Sequence, residues 1–166
     1  MTLRVDYAEA ALIQLLEEKM EAAYGAPVQV DSLGDKDYDD DGSLVLQPPC
    51  LRVRFGRGVY DNLRDNQRLT YQGGLDFEVL AYESSLRDPA DERKQTLVLV
   101  AAVQDQLAGA RLTLQDGSRT QPITMKSVAL IETQGGPVDQ LFSVVIEVNG
   151  VAQFSGVNAQ ETGGGV

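Results

Sequence analysis

Residues 72–82, Gln72-Gly73-Gly74-Leu75-Asp76-Phe77-Glu78-Val79-Leu80-Ala81-Tyr82, decide the fold. Leu75, Phe77, Val79 and Ala81 recur at every second position, with Asp76, Glu78, Leu80 and Tyr82 between them. That is the period of a β-strand with one face in a core. The strand is expected within residues 69 to 82, and Gly73 and Gly74 are expected to mark a bulge or bend in it.

Upstream, Leu51 to Phe55 repeats the alternation: Leu51, Val53 and Phe55 on one side, Arg52 and Arg54 on the other, so both arginines are expected to be exposed. Pro48 and Pro49 imply an edge or a break just before it, and Leu44 to Leu46 and Val28 to Val30 are shorter strand candidates. Residues 6 to 23 form an amphipathic helix, with Ala8, Leu12, Leu15, Leu16 and Ala23 at three- and four-residue steps and Gly25 and Pro27 ending it.

Downstream, Asp88-Pro89-Ala90-Asp91 starts a second helix. Asp88 is suited to the cap, Pro89 to the first helical position, and Asp91 and Glu92 to the positive helix end. Leu97, Val98, Val100, Ala101 and Leu107 cover more than a narrow stripe, so this helix is expected to be substantially buried until about Ala108, with Gly109 as its terminator. Ile123 to Ile131 and Leu141 to Val148 are rich in β-branched residues and are separated by a Gly135-Gly136-Pro137 turn signal, which predicts a hairpin. The order is helix, strands, helix, strands. The expected class is α+β, a mostly antiparallel sheet packed against two helices.

At 166 residues the chain is expected to hold one domain over residues 1–156, followed by a flexible Gly-rich tail at 157–166. It has no His and a single Cys, Cys50. These counts exclude Ser-His-Asp and Cys-His nucleophile activation, His-ligated zinc and an intramolecular disulfide, and they point to a reducing cytoplasm and no enzyme activity. No basic segment followed by an apolar run opens the chain, and no membrane contact is expected.

The formal net charge of −11 is unevenly spread. Residues 31–41 hold six acids and one base, a local −5, whereas residues 51–72 hold five arginines and two acids, a local +3. Such an acidic protein is not expected to grip nucleic acid by counterion release.

Four constellations invite a chemical reading. Asp37-x-Asp39-x-Asp41-Gly42 matches the first half of a calcium loop, but the position of its bidentate Glu is taken by Pro48, so a solvated, extended acidic loop is the simpler expectation. Gly56-Arg57-Gly58 lacks any phosphate-binding fingerprint and reads as a strand-end turn. Asp76 and Glu78 share a strand face, where exposed charge is expected rather than acid-base work. Cys50, with no His partner, is expected to be a buried, inert thiol.

Taken together, Ala11-Leu12-Ile13 with Leu15-Leu16, Pro49-Cys50-Leu51-Arg52-Val53-Arg54-Phe55, Gln72-Gly73-Gly74-Leu75-Asp76-Phe77-Glu78-Val79, the helix from Asp88 to Leu107, and Leu141-Phe142-Ser143-Val144-Val145-Ile146-Glu147-Val148 resemble the tail terminator proteins of Mu-like phages and prophages. The likeness lies in order, spacing and length over residues 3 to 150. It implies a virion protein, assembled in the bacterial host cytoplasm, that closes as a ring, usually a hexamer, on the head-proximal end of a tail tube. Such a ring stops tube polymerisation and offers a surface to head-completion or connector proteins, with DNA only as passing cargo and no cofactor. Neighbouring subunits or partners would then meet through Arg52, Arg54, Arg57, Arg64 and Arg68 and through Asp35, Asp37, Asp39, Asp40 and Asp41, because a ring needs two complementary surfaces on one chain. The alternative is a calcium- or small-ligand-binding module built on Asp37, Asp39 and Asp41.

Overall fold

The computed structural model describes residues 2–62, 69–83, 89–131 and 140–154. In chain order the elements are α1 (Val5–Tyr24), β1 (Gln29–Ser32), a 3-10 turn (Asp35–Asp37), β2 (Cys50–Asn62), β3 (Thr70–Glu83), α2 (Pro89–Leu107), β4 (Thr124–Ile131) and β5 (Gln140–Gln153). The five strands make one sheet in the order β1-β2-β3-β5-β4. Only the β1/β2 pair is parallel; the other three pairs are antiparallel. The expected α+β class with a mostly antiparallel sheet and two helices is what the chain adopts.

The strand read first is the middle of this sheet. Leu75, Phe77, Val79 and Ala81 of β3 are fully buried. They lie opposite Val53 and Phe55 of β2 on one side and Phe142, Val144, Ile146 and Val148 of β5 on the other. Both helices cover this face: α1 lies over β1 and β2, α2 lies over β3 and β5, and the helices touch each other. α1 delivers Ala8, Leu12, Leu16 and Met20, one per turn, together with Ala11. α2 delivers Leu99, Val100, Val103 and Leu107. The four-residue spacing places each set on a single helix flank.

α1 ends as the sequence predicts. Gly25 takes a left-handed φ of 83° and its N–H closes on the Glu21 carbonyl at 2.9 Å, a position that favours glycine. At its start no side chain caps the helix; instead Arg4 pairs with Asp6 at 2.7 Å and lies 4.4 Å over the Tyr7 ring.

Several expectations need correction. Leu44–Leu46 is not a strand; within it only Leu44 pairs, in an isolated bridge with Tyr38. Gly56-Arg57-Gly58 is not a turn but the interior of β2, where the register with β3 slips between Phe55 and Arg57. The bulge is therefore on β2, whereas β3 pairs without interruption through Gly73 and Gly74. Those glycines serve close approach instead. A Cβ on Gly73 would sit 3.2 Å from the Tyr60 ring and 3.3 Å from Leu3, and one on Gly74 would sit 3.1 Å from the Asn149 side chain. α2 is less covered than expected, since Leu97 and Val98 are exposed. Asp88, the expected cap, lies outside the described residues, as do residues 132–139, where the turn is expected, and 157–166, the expected tail.

One unannounced excursion follows α2. Residues 110–123 fold back on themselves, with Thr113 bridging Arg119, the Thr120 N–H bonding the Leu112 carbonyl at 2.9 Å, and Leu112, Leu114 and Ile123 buried against the core. No helix of the described residues is long and apolar enough to cross a membrane.

Candidate functional site

The face of the sheet turned away from the helices carries the charged residues singled out from the sequence. Arg52 and Arg54 of β2, Asp76 and Glu78 of β3, and Ser143, Glu147 and Asn149 of β5 all fall on it by register. Their side chains meet there as pairs rather than standing free.

Arg52 is buried, contrary to the expectation of exposure. After β1 the chain makes the 3-10 turn Asp35–Asp37 and folds over the start of β2, so that the Arg52 Nε donates to Asp37 Oδ1 at 2.9 Å. Asp37 Oδ2 accepts the Gly34 N–H at 3.0 Å, and Arg52 Nη1 donates to the Leu51 carbonyl at 3.1 Å. Both charges are withdrawn from water and both find additional partners, the condition under which a buried pair holds.

The rest of the acidic segment is a compact turn, not an extended run. Asp39 Oδ1 accepts the N–H groups of Asp41 and Ser43 at 3.0 and 2.9 Å, and the Val45 N–H returns to the Asp37 carbonyl at 2.7 Å. An Asp that bonds its own backbone two residues on is a turn former, which here offsets the repulsion of like charges. Lys36 pairs with Asp31, and that hydrogen bond holds the Asp31 carboxyl below its ordinary range. Asp35, Asp39, Asp40 and Asp41 remain exposed. The half calcium motif does not assemble: Asp37 points inward to Arg52, and no group of three or more potential metal ligands converges among the described residues.

Across the middle of the same face runs a second network. Arg54 Nε donates to Glu78 Oε2 at 2.7 Å, and Glu78 Oε1 accepts the Ser143 hydroxyl at 2.7 Å. Arg57 Nε reaches Asp76 Oδ2 at 3.1 Å, and the Lys126 ammonium sits 3.0 Å from both Asp76 oxygens and 3.8 Å from Glu147. Burial alone would raise the Asp76 carboxyl, but the hydrogen bonds and charges of Lys126 and Arg57 outweigh it and hold the group below its ordinary value. Asp76 and Glu78 are thus spent in ion pairs, neither solvated freely nor arranged as an acid and a base. Arg64 and Arg68 lie outside the described residues.

Two further polar groups complete the picture. Cys50 is fully buried, and burial pushes its thiol up to about 11 despite the nearby Arg52, so the reactive thiolate is scarce at neutral pH. Tyr24, at the end of α1, donates its hydroxyl to Glu83 at the end of β3, and burial together with that contact raises the phenol. This link between first helix and central strand carries no sequence signal.

At the far end of the sheet, the rings of Tyr60, Tyr71 and Phe154 form an aromatic group, with Phe154 centred 5.4 Å from Tyr60 and 5.7 Å from Tyr71. Offset and edge contacts of this kind stabilise a partly exposed cluster.

No protein-family model matches the chain, and no curated protein matches it. Its fold is similar to that of a chain in a solved structure described as "Virion of native gene transfer agent (GTA) particle", at 16% identity and a TM-score of 0.56, covering 88% of this chain and 98% of that one. At this identity the likeness is one of fold.

Proposed function

We propose that this chain is a structural protein of a phage-like particle, and that within it the chain acts as a tail terminator. It would close as a ring, of six copies by the family resemblance, on the head-proximal end of the tail tube, stop its growth and present the surface to which the head joins. The observation that carries the reading is the near end-to-end fold match to a chain of a gene transfer agent virion, 88% of one against 98% of the other. The whole fold, not a shared fragment, recurs in a chain of a particle.

The chemistry of the site supports the same role. Its charged side chains are consumed in cis, in the pairs Arg52–Asp37, Arg54–Glu78 and Arg57–Asp76–Lys126, which is the arrangement of a scaffold rather than of a catalyst. The acids left over, Asp35, Asp39, Asp40 and Asp41, cluster on one exposed turn. A negative wall repels phosphate and would let DNA slide past without adhering. Such a role needs no active site and no cofactor.

Deleting the gene in a producing cell and imaging the particles tests both levels of the reading. Recovery of the chain in purified particles supports a virion protein, and its absence from them overturns that. Tails of uncontrolled length without heads, restored to normal by complementation, support termination. Tails of normal length in the deletion strain overturn it.

A further inference from the structure

Open sheets normally protect their outer strands with charge, proline or a covering element, because a row of unpaired N–H and C=O groups is a template for another chain. Among the described residues, this sheet leaves two such rows without a paired strand. On one side β1 pairs with β2 only at Cys50 to Val53, and among the described residues no strand covers residues 54–62. On the other side β4, Thr124–Ile131, is the last strand. The two free stretches are of similar length.

Most of the charged side chains on these two strands are engaged in ion pairs across the sheet. Lys126 is the only charged residue in β4, and it lies back across the sheet onto both oxygens of Asp76. Arg54 and Arg57 of β2 pair across the sheet with Glu78 and Asp76 while staying 49% and 71% exposed, and Asp61 of the same stretch is exposed as well. Beside these charges the edges present apolar side chains: Val128 and Leu130, 39% and 54% exposed, and Phe55, Val59 and Tyr60 at 37%, 54% and 38%.

The directions of the two edges fit one another. β2 and β5 are each antiparallel to β3, so they run the same way, and β4 runs opposite to β5. A second copy placed alongside, helices on the same side, brings its β4 next to the free stretch of β2 in antiparallel orientation. That is the more stable ladder, and two different surfaces of one chain are what a head-to-tail, ring-closing contact requires. We infer that copies of this chain join by pairing β4 of one with residues 54–62 of β2 of the next, continuing the sheet from subunit to subunit. The inference deepens the ring reading and rests on it for its setting.

The test uses the full chain, at concentrations up to about 1 mM, where even a contact worth ~4 kcal/mol is half formed. Val128→Lys with Leu130→Lys blunts one edge and Val59→Lys the other; all three positions are exposed, so far-UV circular dichroism should be unchanged, and Val128→Lys alone replaces the pair if it is not. Analytical ultracentrifugation is expected to show self-association of the wild type, loss of it by at least tenfold in each variant, and, on mixing the two variants, one-to-one dimers that grow no further. Each variant keeps the edge the other has lost, so only head-to-tail pairing gives that result. A monomeric wild type, variants that associate as the wild type does, or a mixture that stays monomeric overturns the inference. A β2-edge variant that dimerises by itself assigns the contact to β4 against β4 and overturns it equally. Rings on tail tubes that survive both edge variants would remove this contact while leaving the terminator role; edge pairing by a chain absent from particles would do the reverse.

Discussion

The two faces of the sheet are covered by opposite means. Toward the helices, Leu75, Phe77, Val79 and Ala81 meet Leu12, Leu16, Leu99 and Val103, and no polar partner is needed. On the other face no helix lies among the described residues, yet Arg52, Asp76 and Ser143 are nearly as buried as the core, because each ion covers its neighbour and the Asp35–Asp37 turn folds over the first of them. The lesson is that loss of solvent exposure does not identify a core. On one face it reflects transfer of apolar area from water, on the other the mutual satisfaction of charges, and the two respond differently to substitution.

The comparison breaks most sharply at Phe77 in the middle of the apolar face. Phe77→Ala is expected to cost about 3–5 kcal/mol, read as a fall in the urea midpoint with unchanged slope. On the charged face, Arg52→Ala is expected to cost nearly as much, about 3–5 kcal/mol, because it strands the Asp37 carboxylate in a buried position. What separates the faces is rescue: Arg52→Met combined with Asp37→Leu should recover most of that loss, whereas no second change at a neighbour restores the volume of Phe77. A double variant as unstable as the single one would contradict the account.

A smaller effect belongs to Asp76. Its carboxyl is held below the ordinary value of 3.8 in the folded chain, so its contribution is fully present above the unfolded value and is lost as pH falls through the folded one. Asp76→Asn is expected to cost on the order of 1–2 kcal/mol near neutral pH, where the two cations are left without their shared anion, and to flatten the acid limb of the stability curve below pH 4. Least is expected from Arg54→Ala, under about 1 kcal/mol, since its guanidinium is half exposed and water replaces the contact to Glu78. A cost above 2 kcal/mol there would mean that the open network behaves like the buried pair.

These differences mark where the sequence was readable. Period-two alternation places β3 and β5 correctly, and the Gly25 and Gly109 stops bound the helices, because those signals are local. Arg52 is misread because alternation assigns it to the open face, and nothing near position 52 announces that Asp37 will cover it. The half calcium motif fails for the same reason: spacing within a loop does not show that its first ligand is spent on a strand 15 residues away. The bulge at Gly56 lies in a Gly-Arg-Gly run that reads as a strand-end turn, because two glycines signal a break without showing that pairing with β3 resumes beyond it. The Asp116-Gly117 pair is a local signal for the turn of the 110–123 excursion, where Asp116 accepts the Ser118 N–H. The edge status of β4 was invisible, since Val128, Leu130 and Ile131 look like core to any pattern.

The strand order also bears on how the chain comes to be folded. The β2/β3 ladder joins residues as close as Asn62 and Tyr71, while the β3/β5 ladder in the middle of the sheet joins Glu83 to Gln140 and Thr70 to Gln153. Closing loops of that length is entropically costly, and topologies ruled by such pairings fold slowly. On a ribosome, β2, β3 and α1 would emerge with the inner side of β3 still unpaired, and would wait for nearly the whole of the remaining chain before β5 arrives. Synthesis itself then meters assembly: until the last strand is in place the helices have only half a sheet to cover, and no copy presents both edges to a neighbour.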